Sequence, residues 1–353
     1  MTIARLARPE IRALQPYEAA VQVDDTIRLN ANEAPWTSDS DRFRRPLNRY
    51  PEIRPEQLRA SLAARYGCDK NRLLVTRGTS EAIDLLMRVF CRAGRDNIVT
   101  TSPTFSMYRH YAEVQGAEIR EVAADRETGF ALDVDALLDA CDEATRLIFV
   151  CSPNNPTGTL IPRAVLTELL ERRGTDSAIV VDEAYVEFAD EQSSVELIDR
   201  HDNLIVLRTL SKALAFAGAR CGSVIGPTDV VNLLNAVQAP YALATPVVEC
   251  VENALQAQSL NDAEKWLKQV IMERERLVVS LQEFDLVKRI WPSAANFLLI
   301  QVDDAKALMQ QSKNDKVLLR YFGGDLADCV RITIGTREEN DRLLETISTL
   351  ERS

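Results

Sequence analysis

Histidine is nearly missing from this chain. Its 353 residues include two, His110 and His201, and neither has neighbours that would make it part of a constellation. Acid–base chemistry here has to come from other side chains. The seven cysteines are scattered, odd in number and never spaced as CxxC, which argues against a metal site and against a disulfide framework and fits a reducing compartment. No apolar run approaches the length that crosses a bilayer, and the opening stretch MTIARLARPEIRALQPYEAA has no apolar segment of the export-signal kind. The expectation is a cytoplasmic protein with no membrane partner. Positive charge is also short: 42 Lys and Arg against 53 Asp and Glu leave a net charge of −11, which speaks against nucleic acid as a partner. There is no internal repeat and no low-complexity tract.

What is present is ordinary globular material, 46% hydrophobic and 27% charged, and long enough for two domains. Residues 1–27, broken by Pro9 and Pro16, read as an arm. Helical spacing over 55–66 stops at Gly67. An apolar run at 73–75 then leads through Gly78, a Thr79–Ser80 cap and into a second helix. Such a start exposes unpaired N–H groups suited to a phosphate, although most such starts are simply capped helices. Strand signals follow at 98–101, 117–122, 147–151, 179–181, 204–207 and 222–225, with helices at 104–114 and 162–172. Alternation of this kind predicts an α/β fold with a mostly parallel central sheet flanked by helices, and ligands beyond the strand ends.

From about residue 240 the alternation lapses. One amphipathic helix is expected over 262–284, with Trp266, Val270, Ile271, Leu277, Val278 and Leu281 apolar. Strands at 286–290, 296–302, 317–321 and 329–334 and helices at 303–313 and 337–350 come after it, the last capped by Thr336 with Glu339 three residues on. The expected division is an arm over 1–27, a large domain over 28–240 and a smaller α+β domain over 241–353.

One stretch organises the rest. Residues 204–226 read LIVLRTLSKALAFAGARCGSVIG: an apolar run, a polar break at Arg208, then Thr209, Ser211, Lys212, a series of small residues and Arg220. Burial and neighbouring cations can free a lysine amine as a nucleophile, so Lys212 could form a Schiff base with an aldehyde cofactor while the hydroxyls and Arg220 bind its phosphate. On this stretch alone a solvated surface lysine is the better reading.

The remaining motifs reverse that reading. Ser152-Pro153-Asn154-Asn155-Pro156-Thr157-Gly158 and Asp182-Glu183-Ala184-Tyr185 each follow a buried strand, as Ser211-Lys212 does, and Gly78-Thr79-Ser80 opens a helix. In this order, over roughly residues 75–226, the set resembles the fold-type I pyridoxal-phosphate aminotransferases. The resemblance implies pyridoxal 5'-phosphate bound through Lys212, with Asp182 pairing with the pyridinium nitrogen. It implies Asn155 and Tyr185 on the ring's phenolic oxygen, and Thr79, Thr209, Ser211 and Arg220 around the phosphate with Gly78 and Ser80 beside them. Tyr108 would stack on the ring, though an aromatic on that helix could equally be core. Tyr50 of NRYP would reach the phosphate from a partner subunit, which implies a homodimer.

Within that family the chain most resembles the histidinol-phosphate aminotransferases, through LQPY, LNANE, NRYP, SPNNPTG, DEAYVEF, LRTLSKALAFAGARCG, VLLRYF and VRITIGTREEN. This implies transamination between L-histidinol phosphate and 2-oxoglutarate, giving imidazole acetol phosphate and glutamate, with histidine biosynthesis running the reverse. Arg331 would grip the acidic end of the substrate. Arg320 and Tyr17 would add contacts to its phosphate, and Asn32 or Glu33 would lie near the imidazole. Phe105 stands where many relatives carry tyrosine, and NANEAPW also departs from the family pattern. An aromatic-amino-acid aminotransferase or a threonine-phosphate decarboxylase shares the cofactor motifs. A non-catalytic binding protein of the same fold is the reading from another class, and retention of Lys212, Asp182, Asn155, Tyr185 and Arg220 together argues against it.

Overall fold

The structure, a computed structural model, describes residues 2–17, 20, 22 and 26–352, so the arm expected over 1–27 lies partly outside the described residues. The runs richest in Val, Ile and Leu form the middle of a seven-stranded sheet. Its strands are β1 (Leu73–Thr76), β2 (Asn97–Ser102), β3 (Glu118–Ala123), β4 (Thr145–Cys151), β5 (Ala178–Asp182), β6 (Leu204–Thr209) and β7 (Gly222–Ile225), ordered β1-β7-β6-β5-β4-β2-β3. Neighbours among β2 to β6 run parallel, and β7 alone reverses, antiparallel to both β1 and β6. The mostly parallel α/β fold expected from the alternation is therefore the observed one. Every residue of the central β5 and β6 is buried, as helices on both faces require. The edge strand β3 has no buried residue and carries charge, which discourages pairing with another chain.

Helices α1 (Pro9–Arg12), α2 (Glu56–Tyr66), α3 (Gly78–Phe90), α4 (Met107–Gln115), α5 (Val134–Asp139), α6 (Arg163–Arg173), α7 (Thr228–Val237) and α8 (Thr245–Ala254) surround this sheet. Alternation along each strand divides the core in two. Leu147 and Phe149 of β4 pack with Leu86 of α3 and Leu234 of α7, whereas Ile148 and Val150 pack with Leu62 of α2 and Leu169 of α6. Gly67 and Gly116 end α2 and α4 in the left-handed region, at φ 69° and 71°, where a side chain would be strained.

A second sheet is smaller and antiparallel: β8 (Val287–Ile290), β9 (Phe297–Val302), β10 (Arg320–Gly323) and β11 (Leu326–Thr333), in the order β10-β11-β9-β8. Helices α9 (Ala257–Leu281), α10 (Ala305–Asn314) and α11 (Arg337–Glu351) bury Leu298, Ile300 and Val302 on one face. The alternate residue Phe297 points the other way and packs on Ala184 and Tyr185, just past β5. The loop after β4 joins the same contact: a Cβ on Gly158 would lie 2.9 Å from the Ser293 Cα, and its carbonyl accepts from Ala294 N. The smaller sheet thus lies over the carboxyl ends of the larger sheet's strands. No described helix is long and apolar enough to cross a membrane.

Several expectations need correction. The boundary at 240 falls inside the larger core, because Leu243, Val248 and Val251 pack beneath the seven-stranded sheet. The crossing happens along α9: Leu260 and Ala263 lean on the larger core, and Leu277 and Leu281 sit in the smaller one. Trp266, expected on the apolar face of that helix, is 64% exposed. The helix expected from 104 starts at Met107, which leaves Thr104 to Ser106 as a loop. Strand 317–321 begins only at Arg320, and Leu318 is exposed. Helices α5, α7 and α8 had no clear sequence signal. The last two are rich in β-branched residues, whose weak helix propensity is overridden by packing. Finally, β6 does not stop at Arg208. That side chain is buried but donates to Glu187 at 2.7 Å and lies 4.6 Å over the Tyr66 ring, so the strand carries a charge through its core face.

Candidate active site

Parallel pairing aligns the ends of three central strands, with Cys151 beside Asp182 and Asp182 beside Leu207. The segments leaving them therefore emerge side by side. They form the floor of a cavity of about 630 Å³, roofed by β10 and β11. Its wall includes Thr79, Ser80, Asn155, Asp182, Tyr185, Thr209, Ser211, Lys212 and Arg220 from the larger sheet, with Arg320 and Arg331 from the smaller. That volume is in the range usual for small-molecule sites.

Gly78 does not line the cavity but shapes it. Its φ is +76°, and a Cβ there would sit 2.7 Å from an Arg220 guanidinium nitrogen, so only glycine lets Arg220 lie against the start of α3. The N-cap of α3 is Arg77 and not Thr79 or Ser80, and it makes no side-chain cap. Both hydroxyls are thereby spared from capping. Across the cavity floor the Thr209 and Ser211 hydroxyls lie 2.9 Å apart and the Ser211 N–H donates to Thr209, which fixes the turn that delivers Lys212.

Asp182 is 2% exposed. One carboxylate oxygen accepts from the Tyr108 hydroxyl at 3.0 Å and the other from Ala184 N at 3.2 Å. Burial pushes its pKa up to about 6, with Tyr108, the Ala184 amide and Lys212 pulling against that rise and Glu183 adding to it. Lys212 shifts the other way: burial lowers its pKa first, Arg331 and Arg220 lower it further, and Asp182 opposes them. Its Nζ lies 5.6 Å from the centre of the Tyr185 ring. Tyr185 is itself nearly buried, edge-on to Phe297 at 5.1 Å.

Tyr108 corrects one expectation. It is fully buried, stacked on Phe149 at 4.8 Å, with its hydroxyl committed to Asp182, so it has no free face to offer a bound ring. Phe105, in the loop before α4 and edge-on to Tyr108, is the aromatic of this segment that reaches the cavity wall.

Arg331 and Arg320 are direct cross-strand partners on β11 and β10. Arg331 donates to Asn155 Oδ1 and lies 5.1 Å over Phe297, while its Nε is buried without a partner. Arg220 gives a hydrogen bond to the Ala217 carbonyl at 3.2 Å. Among the described residues none of these three arginines has a carboxylate partner. The wall therefore carries four cationic groups and one acid, Asp182, and it is set to receive anions at two ends.

Tyr17, Asn32 and Tyr50 are not brought to this cavity by their own chain. Tyr17 and Tyr50 are 61% and 50% exposed, and Tyr50 stacks on Tyr241 at 4.7 Å. Asn32 is held away because its neighbour Glu33 is locked into the segment's own framework. Glu33 pairs with Arg28 at 2.6 Å and Arg49 at 2.8 Å and accepts from Tyr50 N, so it is a structural acid and not a free contact for an imidazole. One residue that the sequence patterns did not single out is Phe322, which lines the cavity beside both arginines. Its signal was available, since residues two apart on a strand share a face and Phe322 follows Arg320 by two.

Residues 27–347 match the family of class I and II aminotransferases. The chain is 41% identical over 352 residues to the histidinol-phosphate aminotransferase of Xylella fastidiosa (strain 9a5c), covering 98% of this chain and 96% of that one. The fold is similar to the crystal structure of the histidinol-phosphate aminotransferase from Clostridium acetobutylicum, with TM-score 0.78 at 22% identity over 87% of this chain and 91% of that one. It is equally similar to that of the Sinorhizobium meliloti enzyme in complex with pyridoxal-5'-phosphate, with TM-score 0.78 at 21% identity over 87% and 84% of the two chains. With the match running over nearly its whole length, the chain belongs to the class I and II aminotransferase family.

Proposed function

We propose that this chain is a pyridoxal 5'-phosphate-dependent aminotransferase that moves an amino group between L-histidinol phosphate and 2-oxoglutarate, with imidazole acetol phosphate and glutamate as the other pair. The observation that carries the reading is one cavity in which a buried acid and a lysine of lowered pKa lie between arginines that, among the described residues, have no carboxylate partner. The donor set fits the cofactor. Arg220, Thr79, Ser80, Thr209 and Ser211 would hold its phosphate, Asp182 its ring nitrogen, and Asn155 and Tyr185 its phenolic oxygen. The cofactor, when bound, supplies an aldehyde for the substrate amine and a ring that accepts the electrons released at the substrate Cα.

The chain's own groups do the rest. Lys212 Nζ, with its pKa depressed by burial and by two guanidiniums, is the base that takes the Cα proton, which removes any need for histidine. Asp182, held by Tyr108 and Ala184 N, keeps a proton on the ring nitrogen. Arg331 takes the acidic end of either substrate, a phosphate or a carboxylate, and Arg320 adds a contact to the phosphate.

We further read the enzyme as a homodimer in which Tyr50 of one copy completes the other's phosphate site. Support comes from exposed apolar residues gathered in one segment: Ile27 at 89%, Leu29 at 91% and Trp36 at 71%. The same face would bring Tyr17 and Asn32 to the partner's cavity.

The deciding experiment follows the visible absorption of the cofactor-loaded protein during titration with L-histidinol phosphate, with histidinol alongside. Conversion at low phosphorylated ligand, reversed by 2-oxoglutarate, is expected. Conversion by glutamate but not by histidinol phosphate would leave an aminotransferase with a different partner substrate.

A further inference from the structure

The two arginines at the substrate end are an awkward pair. They sit directly opposite each other on β10 and β11, where like charges repel, and among the described residues neither has a carboxylate partner. What they share is one aromatic ring. The Phe322 centroid lies 5.5 Å from the Arg320 Cζ and 5.6 Å from the Arg331 Cζ, so the ring's negative face serves both guanidiniums. Their dependence on it differs. Arg331 is also fixed by Asn155 and by the Phe297 ring, and much of it is buried. Arg320 is exposed and its side chain has no hydrogen bond or ion pair among the described residues, so the Phe322 ring is what fixes its guanidinium.

The two kinds of substrate make different demands. A phosphate monoester presents three terminal oxygens and up to two charges, enough to occupy two guanidiniums. A carboxylate presents two oxygens and one charge, which a single guanidinium fork satisfies. We propose that Phe322 is a specificity-determining positioning residue, holding Arg320 beside Arg331 for the phosphorylated substrate while the carboxylate substrate relies on Arg331. This rests on the reading above, in which both substrates use the same end of the cavity.

The test compares wild type with Phe322→Leu and Phe322→Tyr, measuring kcat and KM separately for L-histidinol phosphate and glutamate. Calorimetric affinity of the cofactor-loaded protein for inorganic phosphate gives a readout independent of turnover. For Phe322→Leu, the KM for the phosphorylated substrate should rise roughly 5–10-fold more than the KM for glutamate, with phosphate affinity falling in parallel. Phe322→Tyr keeps the ring face and should restore both. An equal rise for the two substrates, no rise, or failure of tyrosine to restore the ratio overturns the proposal. A wild type that binds the cofactor and reacts with glutamate but not with histidinol phosphate overturns the underlying reading, and this inference with it.

Discussion

Two arginines on strands of this protein, Arg208 buried and Arg331 half-buried, look alike in sequence and behave oppositely. Arg208 lies on the back of β6 and Arg331 on the cavity face of β11. Burial works against both charges. For Arg208 it is more than offset by Glu187 and Glu183, so the pKa is raised, and Ser193 accepts another of its hydrogen bonds at 3.0 Å. For Arg331 burial lowers the pKa, the nearby Arg320 lowers it further, and only Tyr185 opposes. A cation buried with acids is part of the scaffold. A cation half-buried without them stays destabilised until a ligand brings the negative charge.

The largest effect expected from this contrast is on stability. Arg208→Met leaves Glu183 and Glu187 without their cation and should cost about 3–5 kcal/mol in denaturant unfolding. Arg331→Met should leave the unfolding midpoint of the apo-protein unchanged or raise it. It should instead raise the KM for both substrates roughly 10–100-fold, the scale of a lost charge-assisted hydrogen bond. If Arg331→Met unfolds the protein and Arg208→Met only weakens substrate, the contrast is wrong.

Asp182 sharpens the same contrast with the opposite charge. Its folded pKa of about 6 lies above the ordinary value, so its extra proton binding stabilises the apo-protein at low pH and that contribution is lost as pH rises through about 6. Asp182→Asn should therefore stabilise the apo-protein at pH 8, by on the order of 1–3 kcal/mol, and change little at pH 4. The same substitution should weaken cofactor binding at pH 8, measured by fluorescence titration, because the acid proposed to pair with the ring nitrogen is gone. Equal unfolding free energies at both pH values would remove the buried-acid account.

Tyr108→Phe takes away one donor to that carboxylate, so the transition near pH 6 should move upward, while the stacking on Phe149 survives. A downward shift would mean that the hydroxyl is not donating to Asp182. The smallest effect expected is for Tyr50→Phe, a few-fold loss of cofactor retention with no change in apo-protein stability. Unchanged retention would remove Tyr50 from the phosphate site.

Much of the site was legible because its residues sit just past apolar runs. Asn155, Asp182 and Lys212 each follow a strand that sequence marks plainly, and a parallel sheet then brings those ends together. Gly78 was legible as a turn, but its second task, leaving room for the Arg220 guanidinium, depends on a contact across the fold. The aromatics were not legible. Phe105 and Tyr108 are three residues apart in one segment, and only the start of α4 at Met107 decides that the first faces the cavity and the second the core.

The sequence by itself determined the α/β order, the lysine and acid proposed for catalysis, and the family, because these depend on local pattern and on short motifs. Tertiary structure decided which charges are neutralised and which are not. Glu183 and Glu187 come to Arg208 from more than twenty residues away, and Asn155 comes to Arg331 from the loop after β4. Electrostatic energy depends on distance and burial, and neither can be read from the spacing of residues along the chain.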